Sequence, residues 1–106
     1  MFDFYDRRGE EISEAQWTRL RADQQYRLVA ESHVRAANGD CVGVLTEWVG
    51  AVIPVVGESV PWIFGTRLFG GVNDKYVVFH RSAAEAVRRH DAMVDALATG
   101  KPIHPI

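Results

Sequence analysis

The fold turns on Asp40–Arg89, which reads D-C-V-G-V-L-T-E-W-V-G over 40–50, P-W-I-F-G-T-R-L-F-G-G over 61–71 and K-Y-V-V-F-H-R-S-A-A-E-A-V-R-R over 75–89. Two apolar, aromatic runs of strand length, a shorter third run and a capped helix follow one another here. That order specifies an antiparallel sheet with a helix packed on it. No catalytic motif interrupts the stretch, so it defines an architecture without defining a chemistry.

Within it, strands are expected from Cys41 to about Val49 and from Val60 to Phe69, with Lys75 to His80 as a third member after a turn at Gly70–Asp74. Ser82-Ala83-Ala84-Glu85 is a capping box, and Ala83, Val87, Met93, Val94 and Leu97 place an apolar stripe on a helix that runs to Thr99, where Gly100 and Pro102 end it. Upstream, Phe2, Phe4 and Tyr5 make a short extended start and Asp6–Gly9 a turn. Ser13 then caps a short helix ending near Arg21 or Ala22, with Gln16 closing a capping box and Ile12 placed to staple onto Trp17. From Tyr26 to Arg35 the period becomes two. A helix competes with a strand there, and the hairpin cluster Ala37-Asn38-Gly39-Asp40 favours the strand.

The expected fold is therefore α+β: a mostly antiparallel sheet of four to five strands, with a short N-terminal helix and a longer C-terminal helix on one face. The chain reads as a single domain over 1–106, with 101–106 a loosely ordered tail. At 106 residues it is long enough to bury roughly 65% of its unfolded surface in one core. Its 47% hydrophobic and 25% charged residues are those of an ordinary globular protein. A formal charge of -2 supplies no basic footprint for nucleic acid. Cys41 is the only cysteine, which removes any internal disulfide and points to a reducing, cytoplasmic setting. The acidic, aromatic opening is unlike a signal peptide, and the apolar run from Trp48 to Gly57, broken by Pro54, is about half the ~20 residues of a membrane span.

Several short patterns follow one another along the chain: D-x-x-G-x-x-I-S-x-x-x-W from Asp6 to Trp17, Y-R-x-V-A from Tyr26 to Ala30, T-x-W-x-G from Thr46 to Gly50, P-x-I-F-x-T-x-x-F-G-G from Pro61 to Gly71, and A-x-x-x-H from Ala86 to His90. In this the sequence resembles small uncharacterised accessory proteins of actinobacterial phages and prophages. The resemblance implies a compact α+β accessory protein and carries no established activity. The pattern places a Glu between the Phe and Thr of I-F-E-T where this chain has Gly65, so any role of a carboxylate there is absent here.

The chemistry-bearing residues do not assemble into a motif. His33, His80, His90 and His104 lack the i,i+4 spacing of metal ligands, and His80 and His90 are expected to hydrogen-bond locally. Cys41, beside Asp40, is poorly placed to form a reactive thiolate. The acidic residues Asp3, Asp6, Glu10, Glu11 and Glu14 suit a helix N-terminus better than a cation site. Gly65, Gly70 and Gly71 are turn and bulge residues, and Glu47 with Arg67 is a candidate cross-strand pair. No catalytic residue, cofactor or metal is expected. Arg81, Arg88 and Arg89 give a basic helix face, the basis of an alternative reading as a nucleic-acid-associated module. A small hydrolase is a third reading and would have to gather His33 or His80 with Glu47.

The sharpest expectation comes from the hairpin. Val42, Val44, Trp48, Phe64 and Leu68 fall on one face and Leu45, Val49, Ile63 and Phe69 on the other, so both faces are apolar, and a two-layer fold covers only one of them well. If the strands continue to a turn at Gly57-Glu58, they form a long projecting hairpin. Trp48, Ile53, Val55, Val56 and Trp62 are its candidate interaction residues, for a homodimer contact or a host protein, against the alternative that the segment folds back on the core.

Overall fold

The computed structural model describes residues 2–54 and 60–103. Three short elements open the chain: β1 (Asp3–Tyr5), β2 (Glu11–Ile12) and the helix α1 (Glu14–Arg21). The capping box of α1 forms as its sequence requires, the Ser13 hydroxyl accepting the Gln16 N–H while the Gln16 side chain accepts the Ser13 N–H. A single turn, α2 (Gln24–Arg27), precedes β3 (Leu28–Arg35), β4 (Cys41–Trp48), β5 (Ala51–Val52), β6 (Phe64–Phe69), β7 (Val77–His80) and α3 (Ala83–Thr99).

The molecule is α+β. Its main sheet is four-stranded and fully antiparallel in the order β3-β4-β6-β7, with α3 packed across it, and β2-β1-β5 makes a second, three-stranded sheet. The β3–β4 hairpin closes at Ala37–Gly39, where Gly39 takes a φ of +95°.

Four boundaries differ from those expected. The strand begins at Leu28 and not at Tyr26, because the Asp23 carboxylate accepts the N–H groups of Gln25 and Tyr26 and caps a helical turn in their place. The third strand begins at Val77, since Lys75 adopts a φ of +70° and the Tyr76 N–H is spent in the turn on Asn73. Val60–Ile63 lies outside the ladder, whose last pair is Trp48↔Phe64.

The fourth difference removes the long projecting hairpin. Val49 and Gly50 both donate to the Ile63 carbonyl, and Gly50, at φ +75°, turns the chain out of the main sheet so that Ala51–Val52 pairs with β1 instead. A Cβ at Gly50 would stand 2.3 Å from the Trp48 ring, so only glycine fits beneath that indole. The turn expected at Gly57-Glu58, and Val55 and Val56, lie outside the described residues.

The core lies between the main sheet and the helices, in two apolar clusters. One joins Val42, Val44, Leu68 and Val78 of the sheet to Met93 and Leu97 of α3, with Ile103 packed against it. The other joins Trp48, Ile63, Phe64 and Ala86, and receives Tyr5, Ile12, Trp17, Leu20 and Tyr26 from the N-terminal elements. The buried stripe of α3 is Ala86, His90, Met93 and Leu97. Val87, expected in that stripe, is exposed, because the helix is rotated to bring His90 inward.

Candidate interaction site

Strand periodicity gives the main sheet a second face that carries no helix among the described residues. Leu45, Gly65, Arg67, Phe69, Val77 and Phe79 project there, opposite in phase to the buried Val44, Thr66, Leu68 and Val78. Gly65 sits under an aromatic ring on this face, since a Cβ at that position would lie 3.4 Å from Phe79. β7 is an edge strand of only four residues, and among the described residues nothing pairs with its outer side.

Where β7 meets the smaller sheet there is an open cleft of about 580 Å³, lined by Phe2, Ala51, Val52, Ile53, Trp62, Val77, Val78 and Phe79. Its walls are almost wholly apolar. Ile53 remains 67% exposed, Phe2 53%, Phe79 48% and Val77 39%, a concentration of greasy surface that a chain of this size rarely leaves uncovered. The Arg81 guanidinium lies 3.9 Å over the Trp62 ring, a cation–π contact that fixes the indole at the cleft's rim. Basic side chains bracket β7, with Lys75 before it, Arg81 after it and Arg67 opposite Val77.

The candidate interaction residues separate. Ile53 and Trp62 come together in the cleft, whereas Trp48 is wholly buried and its indole N–H donates to the Tyr5 carbonyl at 3.0 Å. Trp48 belongs to the core because Trp17 and Arg21 close over its strand end, donating to the Val49 and Trp48 carbonyls. Ile63, expected on the open face, is likewise buried against Trp48. Phe2, Val77 and Phe79 are the cleft residues that strand alternation left unassigned. Only the packing of the two sheets brings them together.

The residues of the other readings lie apart. His80 points into the core while Glu47 and His33 occupy the opposite face, Glu47 paired with Arg27 at 3.7 Å and His33 beside Glu31 at 4.0 Å. Glu47 therefore engages Arg27, and Arg67 stands opposite Leu45. Cys41 is exposed at the start of β4. The Asp6 carboxylate is used in its turn, accepting the N–H groups of Arg8 and Glu10, and among the described residues no group of three or more potential ligands gathers for a metal. No helix among them is long and apolar enough to cross a membrane.

A second feature lies on the helix side of the main sheet. Thr46, Thr66, His80 and His90 are all buried and form a polar layer between the two apolar clusters, one residue each from β4, β6, β7 and α3. Their bonds are long-range and not local to each histidine: His90 reaches Ser32 and Thr46, and His80 reaches Thr66. Burial pushes both imidazoles below their ordinary pKa. Glu85 opposes the effect at His80, where Arg89 and His90 reinforce it, and Asp91 opposes it at His90.

Comparison with protein-family models, curated protein sequences and solved structures finds no match to this chain. The functional reading rests on the geometry and on the sequence patterns above.

Proposed function

We propose that this chain is a non-enzymatic accessory protein, of the phage type its sequence patterns resemble, that acts through protein–protein contacts in the cytoplasm of a bacterial host. The observation that carries the reading is the open apolar cleft of Phe2, Ile53, Trp62, Val77 and Phe79 beside the edge of β7, which pairs with no strand among the described residues. An exposed apolar cleft next to a free strand edge supports two binding modes at once, side-chain burial and main-chain pairing. The proposed first occupant is a second copy of the chain, giving a homodimer through this face. A host protein on the same surface is the alternative occupant.

Phe79→Asp tests this, because a carboxylate left in an apolar contact costs several kcal/mol of binding while the side chain is half exposed in the single chain. Light scattering should show a dimer for the wild type and a folded monomer for the variant. A wild type that is monomeric at high micromolar concentration removes self-association. A pull-down from actinobacterial lysate with both proteins then decides on a host partner, and an identical partner set for wild type and variant removes the cleft as a binding site.

A further inference from the structure

Four hydrogen bonds run end to end through the core. Ser32 Oγ lies 2.9 Å from His90 Nε2, His90 Nδ1 2.8 Å from Thr46 Oγ1, Thr46 Oγ1 2.6 Å from Thr66 Oγ1, and Thr66 Oγ1 2.8 Å from His80 Nε2. Beyond the last bond, Glu85 Oε1 stands 4.0 Å from His80 Nδ1. Each hydroxyl has one proton to donate and each neutral imidazole one N–H, so making His80 Nε2 the acceptor of its link fixes the direction of all the others. The Glu85 carboxylate fixes it, favouring a proton over a lone pair on the nitrogen that faces it. His80 Nε2 then accepts from Thr66, Thr66 accepts from Thr46, Thr46 accepts from the His90 Nδ1–H, and His90 Nε2 accepts from Ser32. In the neutral core both imidazoles are Nδ1–H tautomers and every link has one donor.

We infer that this chain of side chains is a one-proton switch: a proton taken up from solvent comes to rest on His80 beside Glu85 and reverses the donor order of all four bonds, turning His90 from its Nδ1–H to its Nε2–H tautomer without charging it. The transfer balances. The Ser32 proton passes to His90 Nε2, the His90 Nδ1 proton to Thr46, the Thr46 proton to Thr66 and the Thr66 proton to His80 Nε2, while the solvent proton replaces the one that left Ser32. After the shift His80 donates to Thr66, Thr66 to Thr46, Thr46 to His90 Nδ1 and His90 Nε2 to Ser32, so no buried polar atom loses a partner. Ser32 is only partly buried and the Glu85 side chain is 28% exposed, which leaves both ends of the chain within reach of water.

The surroundings place the charge on His80 and stop at one proton. Hydroxyls occupy both nitrogens of His90, and its charged neighbour on α3, Asp91, is exposed. Burial opposes a charge on His80 most; Glu85, which the ring faces directly, favours it, and from the same helix Arg89 and His90 each oppose it less strongly than Glu85 favours it. The sheet neighbours of both rings, Ser32, Thr46 and Thr66, are neutral. A second proton would aim the His90 Nδ1–H and the His80 Nε2–H at the two threonines together. One threonine O–H would then have no acceptor, and two cations would share one core.

Imidazole 15N NMR on the intact chain, titrated from about pH 8 to about pH 5, tests the switch. Both His80 nitrogens should move to imidazolium values, and His90 should exchange its Nδ1–H for an Nε2–H with the same midpoint. Thr66→Val, which cuts the chain, should abolish the His90 exchange while His80 still titrates. Glu85→Gln should lower the His80 midpoint. The inference is overturned if wild-type His90 keeps its Nδ1–H, if it becomes charged in that step, or if the protein unfolds before either ring titrates. The wild-type titration decides the matter even where a variant does not fold.

Discussion

Thr46 and Thr66 face each other across β4 and β6 with their hydroxyl oxygens 2.6 Å apart, both fully removed from solvent. They occupy positions that the strand period assigns to the core, where valine would pack equally well by volume. Their hydroxyls join two histidines from different elements into one polar layer, and that layer fixes the rotation of α3 against the sheet. A fully partnered polar layer in an apolar core is tolerated. One with a member removed is not.

Thr46→Val should therefore cost about 1–3 kcal/mol, because it keeps the shape but leaves His90 Nδ1 and the Thr66 hydroxyl each without the partner that Thr46 supplies. Urea denaturation of the variant at neutral pH measures it. A loss under about half a kcal/mol would mean that the layer's hydrogen bonds are readily replaced.

The two lowered histidines set an acid limit on stability. In the unfolded chain each ring titrates near its ordinary pKa of about 6.5, while in the folded protein each remains neutral to lower pH. Below about 6.5 the unfolded state thus binds more protons, and stability falls as pH falls, by at most about 1.4 kcal/mol per pH unit for each histidine. Their contribution is fully present above about pH 6.5 and is lost progressively toward the folded pKa values. Urea midpoints at about pH 7.5 and about pH 5.5 check this, and His90→Gln should flatten the difference.

Along α3, Leu97 and Val87 should behave oppositely. Leu97→Ala removes a buried side chain from the cluster with Val42 and Met93 and should cost on the order of 2–4 kcal/mol. Val87, 43% exposed, should change stability by less than about half a kcal/mol when replaced by Ala. Thermal melts of the two variants side by side distinguish this helix phase from the one that places Val87 inward.

Gly50→Ala should be among the most damaging small changes. It sets a Cβ in the left-handed region, costing about 1–3 kcal/mol, and drives it into the buried Trp48 ring, adding about 1–3 kcal/mol of overpacking. A drop in melting temperature, together with altered Trp48 fluorescence, is the expected result. Gly39→Ala, with a positive φ but nothing within 4 Å, should show the backbone part alone.

Much of this fold was legible in the residues one by one. Ser13 with Gln16, Ser82 with Gly100, and the Asn38-Gly39 turn are local signals, set by hydrogen bonds spanning a few residues, and each formed where the chain said it would. The parity of Val42, Val44, Trp48, Phe64 and Leu68 also put the right side chains inward, because alternation in a strand depends on the backbone alone. The same parity placed Thr46, Thr66 and His80 inward. That was the available sign of a polar layer, though nothing local says which hydroxyl will meet which imidazole.

Tertiary packing decided the rest. Pairing β5 with β1 and not with a continued hairpin depends on Tyr5 reaching the Gly50 carbonyl from 45 residues away in sequence, a contact no short pattern encodes. Parity set Trp48 inward but left it a candidate contact residue until Trp17, Arg21 and Tyr5 closed over it, and Phe2, Trp62 and Phe79 became one cleft only when the smaller sheet docked beside β7. The sequence by itself determined the two main helices, the strands of the main sheet and the inward parity of β4 and β6, since these follow from propensity, caps and period. Which faces met, which stayed open, and how His80 and His90 came to share a line of hydrogen bonds were decided by long-range packing, where burial energy selects among arrangements that local signals leave equal.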